Sequence, residues 1–392
     1  MKVLYFCEGF TDIRFVVGLS ARCDLTMVTP EWEFRSSGLA DRIVHSGARL
    51  TVDEIPGRRP AFQVKSLVYL LRNVRKFDVV LSQGMVRGAV NATLAGALMG
   101  VPVVTYLAIA PVAYWRCRRE RRQIGPLKAM AGEAFIRSCL TVAGRLGTTA
   151  LAMGPFLVEL VRAYSPHPAI GYYYGVDVQR FKPVDFEQKM LLRRRHDLPL
   201  GKFVIFFSSR ISHEKDPETA LRATAMARAR GLDAVLVNLG GGFKDFLKLA
   251  GDLGLSDAQR WVIGRPAVHP MQDLCQYFQA VDLVVQASLA EGSGMSPLEA
   301  LACGTPVVAT NVDGLAVQLK GIAQLTPRRD VEAMADAILW VARNRERAAE
   351  QAMKGGEYVR ATWQHEKAFA DLMAVLEEAV NRDGRRGRGG SA

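Results

Sequence analysis

The chain has 392 residues, 49% of them apolar and 23% charged, and a formal net charge of +12. That length exceeds what one hydrophobic core serves, and that balance excludes a disordered or fibrous chain, so two globular domains are expected. Its six scattered cysteines, with no Cys-x-x-Cys pair and no histidine cluster beside them, exclude a disulfide framework and a zinc site and point to reduced thiols in a cytosolic compartment.

In chain order, Met1 to Phe6 is apolar for only a few residues before Glu8, too short for the core of a signal peptide. It reads as the first strand, Lys2 to Cys7, and further strands are expected at Leu25 to Val28, Val79 to Ser82, Val101 to Leu107 and Ala150 to Met153. The stretch Gly88 to Trp115 carries no formal charge and is long enough to span a bilayer. Asn91, Gly100-Val101-Pro102 and Pro111 interrupt it, so it reads as a helix, a glycine stop and a strand.

Directly after it come Arg116, Arg118, Arg119, Arg121 and Arg122, opposed only by Glu120 and followed by Lys128. Residues 1–175 hold 22 Lys and Arg against 12 Asp and Glu, whereas residues 176–392 hold 29 against 27. The first half is therefore the basic one. The arginine run suits an anionic partner, whether phospholipid headgroups, a lipid-linked phosphate or nucleic acid, or else is a solvated loop.

In the second half strands are expected at Phe203 to Ser208, Ala234 to Leu239, Trp261 to Ile263, Leu283 to Gln286, Val307 to Thr310 and Ala323 to Leu325. Both halves alternate such strands with helical patterns, which defines an α/β chain with two doubly wound parallel sheets. Domain one is placed at 1–175 and domain two at 176–365, with a helix over 366–380 and a disordered Gly/Arg tail over 381–392.

Open parallel sheets bind ligands beyond the carboxyl ends of their strands. Three such places stand out. After Phe203 to Ser208, Arg210 and Lys215 form a cation pair able to clamp a diphosphate or simply to face solvent. After Ala234 to Leu239, Gly240-Gly241-Gly242 allows close backbone approach or makes a plain turn. It does not fit the Gly-x-Gly-x-x-Gly fingerprint, which disfavours a nicotinamide site. The third place is Glu291-Gly292-Ser293-Gly294-Met295-Ser296-Pro297-Leu298-Glu299, a flexible loop running into a helix. Ser296 is expected to cap that helix with Pro297 at its first position, and Ser296-x-x-Glu299 also fits a capping box, in which Glu299 only satisfies backbone donors.

Glu291 and Glu299, separated by seven residues and followed by Ala-Cys-Gly-Thr-Pro-Val-Val-Ala, resemble the Glu-x7-Glu signature of the retaining glycosyltransferases of family four. The Ser-Arg-Ile-x3-Lys stretch ending at Lys215 resembles that family's diphosphate loop, and Tyr174-Gly-Val-Asp-Val-x2-Arg-Phe181 its interdomain segment. The resemblance implies a GT-B fold, two Rossmann-like domains facing a cleft, with an acceptor domain first, a nucleotide-sugar domain second and a last helix returning to the first.

By the same resemblance Arg210 and Lys215 bind the donor diphosphate, Glu299 the ribose hydroxyls and Glu291 the transferred sugar. The backbone of Gly292, Ser293, Gly294, Met295 and Ser296 surrounds sugar and phosphates, with Gly9 and Gly240 as further donor contacts. It implies a metal-independent, retaining hexosyltransferase without a cofactor, acting from a UDP- or GDP-sugar on a lipid-linked or polysaccharide acceptor of the cell envelope. It would sit peripherally on the cytoplasmic face of the membrane through the arginine run and bind no nucleic acid. Alternatives are a nucleotide-sugar epimerase-like enzyme of the same fold or a non-catalytic scaffold.

The first half departs from the family. Glu8-Gly9-Phe10-Thr11-Asp12 replaces a Gly-Gly loop, none of the six histidines lies near Tyr106, and Ser293 stands where members often carry an aromatic residue.

Overall fold

The computed structural model describes residues 1–9, 11–120, 123–240 and 242–388. They form two compact units: one of Met1–Arg116, Ile124–Tyr174 and the segment from Glu366, the other of Cys117–Gln123 and Gly175–His365. A single boundary near residue 175 thus omits the short segment Cys117–Gln123, which groups with the second unit.

The first unit is built on seven strands: β1 (Lys2–Phe6), β2 (Asp24–Pro30), β3 (Thr51–Ile55), β4 (Val79–Gln83), β5 (Val103–Leu107), β6 (Thr149–Met153) and β7 (Pro168–Gly171). All pair in parallel, in the order β3-β2-β1-β4-β5-β6-β7. The central strands β5 and β6 are buried along their whole length, because helices cover both faces of a parallel sheet, and apart from Thr105 and Thr149 they read as apolar runs. The two edge strands, β3 and β7, carry no such run. Only Ile55 of β3 and Gly171 of β7 are buried, and β3 contains Asp53 and Glu54, so neither was foreseen.

The uncharged stretch divides into the helix Arg87–Met99, a stop at Gly100 with φ of +69°, and β5. Among the described residues no helix is long and apolar enough to cross a membrane. The last helix runs His365–Arg388, past the Val380 expected as its end and into the segment expected to be disordered; residues 389–392 lie outside those described. Its buried Phe369 ring occupies the space above Gly18, where a β-carbon would stand 2.3 Å from Cζ.

The second unit has six strands: β8 (Phe203–Phe207), β9 (Ala234–Leu239), β10 (Val262–Arg265), β11 (Leu283–Gln286), β12 (Val307–Thr310) and β13 (Gln324–Thr326). Their order, β10-β9-β8-β11-β12-β13, is that of a Rossmann sheet, in which the winding direction reverses between the first and fourth strands. Here that switch lies between β8 and β11. The amino-terminal side of the pair is fixed by Asp282, which accepts from the Val204 N–H at 2.8 Å and from the buried Arg193 guanidinium at 2.5 Å. Burial alone would raise the Asp282 carboxyl, but Lys189 and Arg193 outweigh it and hold it below the usual range.

Candidate functional site

The carboxyl ends of β8 and β11 deliver two loops to the switch point, and polar bonds tie them together. From the first loop, the Lys215 ammonium donates to the Glu291 carboxylate of the second. The backbone does the same, as the Leu289 N–H donates to the Glu214 carbonyl at 2.7 Å. Beneath them Gln286, the last residue of β11, accepts from the Ser209 hydroxyl at 3.0 Å and donates to the Ser288 hydroxyl at 2.7 Å. Gln286 Nε2 and Ser288 Oγ both reach Glu291 Oε2 at 3.2 Å. Glu291 is thus a buried carboxylate held by three side-chain donors, which orients it as a buried charge requires.

The Arg210 side chain is 71% exposed on the same loop and lies 3.8 Å from the Glu214 carboxylate. Gly242 brings the third loop to this place, since a β-carbon there would stand 2.8 Å from Ile211 Cγ1. Gly240 leaves β9 with φ of +100°, which favours glycine, and Gly241 lies outside the described residues.

The helix carrying Glu299 runs Met295–Ala302 and is capped by Gly294, with φ of +70° and no side-chain cap. The expectation that Ser296 caps it and Pro297 opens it is therefore corrected. Both residues already lie inside the first turn, because Gly294 takes the left-handed conformation and turns the chain one step earlier. The Ser296–Glu299 capping box goes with it, and Glu299 is a buried residue in the helix interior. The helix start at Met295 still directs unpaired backbone N–H groups toward the Gly292–Gly294 loop.

Sequence reasoning missed the residues that shape this loop. Gly314 packs so closely that a β-carbon would fall 1.7 Å from the Gly292 carbonyl oxygen, and the Gln318 amide donates to the Ser293 carbonyl. Asp313, at φ of +42°, accepts the Glu291 N–H at 3.1 Å. Burial, and next to it the Glu291 carboxylate, push the Asp313 carboxyl above its usual range, while the Glu291 N–H and Arg328 oppose. The Asp313-Gly314 dipeptide and the polar end of β11 were the available signals.

Gly9 belongs to the first unit, after β1, where a β-carbon would meet nothing within 4 Å, so no packing in the chain itself demands glycine there. Of the arginine run, Arg116 is held by Glu133 at 2.7 Å, Arg118 and Arg119 lie near the end of the helix Pro111–Glu120, and Arg121 and Arg122 fall outside the described residues.

A Rossmann sheet whose switch-point loops join a cation to a Glu-x7-Glu carboxylate agrees with the resemblance to glycosyltransferases, and the comparisons with known proteins bear on the same family. Residues 188–358 match the family described as Glycosyl transferases group 1. A D-inositol 3-phosphate glycosyltransferase of Catenulispora acidiphila is 30% identical over 80% of this chain and 74% of its own length. One from Salinispora tropica is 30% identical over 84% and 70%. The chain belongs to the family-four, group 1 glycosyltransferases.

Among solved structures, Anabaena HepE in complex with UDP-glucose aligns with a TM-score of 0.75 at 17% identity, covering 96% of this chain and 100% of that one. Sucrose-phosphate synthase of Thermosynechococcus elongatus aligns with a TM-score of 0.72 at 16% identity over 96% and 99%. These likenesses establish the fold, GT-B, with two Rossmann-like parallel-sheet domains.

Proposed function

We propose that the chain transfers a hexose from a UDP- or GDP-sugar, with retention of configuration, to a lipid-linked or glycan acceptor at the cytoplasmic face of the membrane. The second unit would hold the donor and the first unit the acceptor. Breaking the anomeric bond leaves negative charge on the departing nucleoside diphosphate, and Arg210 and Lys215 supply positive charge from the protein itself. Glu291 would orient the sugar hydroxyls, Glu299 the ribose, and the helix start at Met295 the phosphates.

The observation that carries this reading is the bond from Lys215 to Glu291, which unites the two signature loops at the switch point. The UDP-glucose complex of HepE makes UDP-glucose the first donor to try, and the names of the relatives make an inositol phosphate the first acceptor. Thermal-shift titration against UDP-, GDP-, ADP- and TDP-sugars is the test, since a ligand of the native state raises the melting temperature. A shift with one nucleotide, lost in Glu299→Ala and Arg210→Ala, is expected. No shift with any donor in the folded wild type would overturn the assignment, and donor conversion without acceptor would favour the epimerase-like chemistry.

A further inference from the structure

The helix Pro126–Leu146 has two faces of opposite character. Its inner face is fixed in the first unit at two glycines. At Gly132 a β-carbon would stand 2.1 Å from the Trp115 ring, whose indole N–H donates to the Ala129 carbonyl at 2.8 Å, and at Gly144 it would stand 2.5 Å from the Tyr164 carbonyl oxygen. Such close packing prevents the helix from rotating about its axis to bury anything else.

The outer face is apolar nevertheless. Leu127 is 81% exposed, Met130 64% and Phe135 51%, and Val142 and Leu146 continue the row. At 100° per residue these five, with Ala131 and Ala134, fall on one side of the helix, which they share with the uncharged hydroxyls of Ser138 and Thr141. No carboxylate interrupts it, for the helix's one acid, Glu133, is held by Arg116 and Arg137. Exposed Lys128 and Arg145 stand near its two ends.

We propose that this face is a membrane-docking surface, lying in the headgroup region of an anionic bilayer with Leu127, Met130, Phe135, Val142 and Leu146 buried among the acyl chains. The charge of the face selects this occupant over a neutral one. An apolar face whose only charged groups are cations complements anionic lipid, and it lies on the more basic half of the chain. With four charged residues and one face committed to the protein core, the helix lies on the bilayer and does not cross it. This deepens the membrane-face reading above and places the contact on apolar residues outside the arginine run.

The test is co-sedimentation of the full chain with phosphatidylcholine vesicles, with and without phosphatidylglycerol, at low and high salt. Binding to the anionic vesicles alone at low salt is expected, with part of it surviving high salt because burial of apolar groups is not screened. Leu127→Ser and Phe135→Ser are each expected to cut partitioning about tenfold. Lys128→Gln with Arg145→Gln removes much of the salt dependence. Unchanged binding by the serine variants would overturn the proposal, as would no binding by the wild type. In the latter case light scattering separates a second copy seated on the face, seen as a dimer that the same substitutions dissolve, from a merely solvated surface. The donor-induced thermal shift, measured without vesicles, should be the same in every variant, so failure of the docking surface and failure of the proposed donor site are read separately.

Discussion

Lys215 and Glu291 hold each other across the switch point, 76 residues apart in sequence, so that the cation proposed to meet the donor diphosphate is already engaged by the carboxylate proposed to meet the sugar. Under the proposed function, a bound donor would exchange that bond for its own. The side chains are 14% and 9% exposed, so removing one partner leaves a nearly buried charge.

Lys215→Met is therefore expected to destabilise the protein by about 3 kcal/mol in urea unfolding, the order found when a buried pair loses one member. It should also lower kcat by about two to three orders of magnitude, as loss of a charge-stabilising donor does. The double variant with Glu291→Gln should regain part of the stability and none of the activity. A Lys215→Met protein with wild-type rates would remove the lysine from the chemistry.

Gly314→Ala tests how closely the loop is shaped. The new methyl must displace the Gly292 carbonyl, which lies 1.7 Å from the β-carbon position, so overpacking of about 1–3 kcal/mol is expected. Because the displaced segment is the proposed sugar and phosphate cradle, donor affinity should fall by about tenfold or more in calorimetric titration. Unchanged affinity would show that the Gly292–Gly294 backbone does not contact the donor.

Asp313 makes a pH prediction. Its carboxyl is raised in the folded state, first by burial, so the fold favours the protonated form. The unfolded chain releases this proton near the ordinary aspartate value of about 3.9, and between there and the raised folded value stability falls as pH rises. Asp313→Asn keeps the acceptor for the Glu291 N–H and tolerates the left-handed backbone. The variant should melt higher than wild type at neutral pH, with the advantage vanishing toward pH ~4, below which both forms are uncharged. An advantage independent of pH would refute the assignment.

Gly18→Ala probes the anchorage of the last helix. The methyl would meet the Phe369 ring at 2.3 Å, and a loss of about 1–3 kcal/mol is expected by chemical denaturation. Phe369→Leu alone should also destabilise, but combined with Gly18→Ala the two should cost less than their sum, as coupled neighbours do. Strict additivity would mean that the helix does not rest on Gly18.

The strands that sequence resolved are those buried on both faces, such as β5, β11 and β12, where most residues must be apolar. The edge strands β3 and β7 were illegible because half their surface faces outward, and their pairing depends on neighbours distant in the chain. Within the site, Glu291, Glu299, Arg210 and Lys215 were legible as a spaced signature. Gln286, Ser288 and Gln318 were not, since a lone amide or hydroxyl has meaning only once its partners are beside it.

The amino-acid sequence by itself determined that this is a two-domain α/β glycosyltransferase and which loop residues carry its signature, because periodic burial and motif spacing are local properties of the chain. Only the tertiary structure decided that Lys215 rests on Glu291, that the signature helix starts from Gly294 and not Ser296, and that the helix Pro126–Leu146 keeps its apolar row outward. Each of these depends on which distant groups compete for one space or one proton, and that competition exists only after the sheets have assembled.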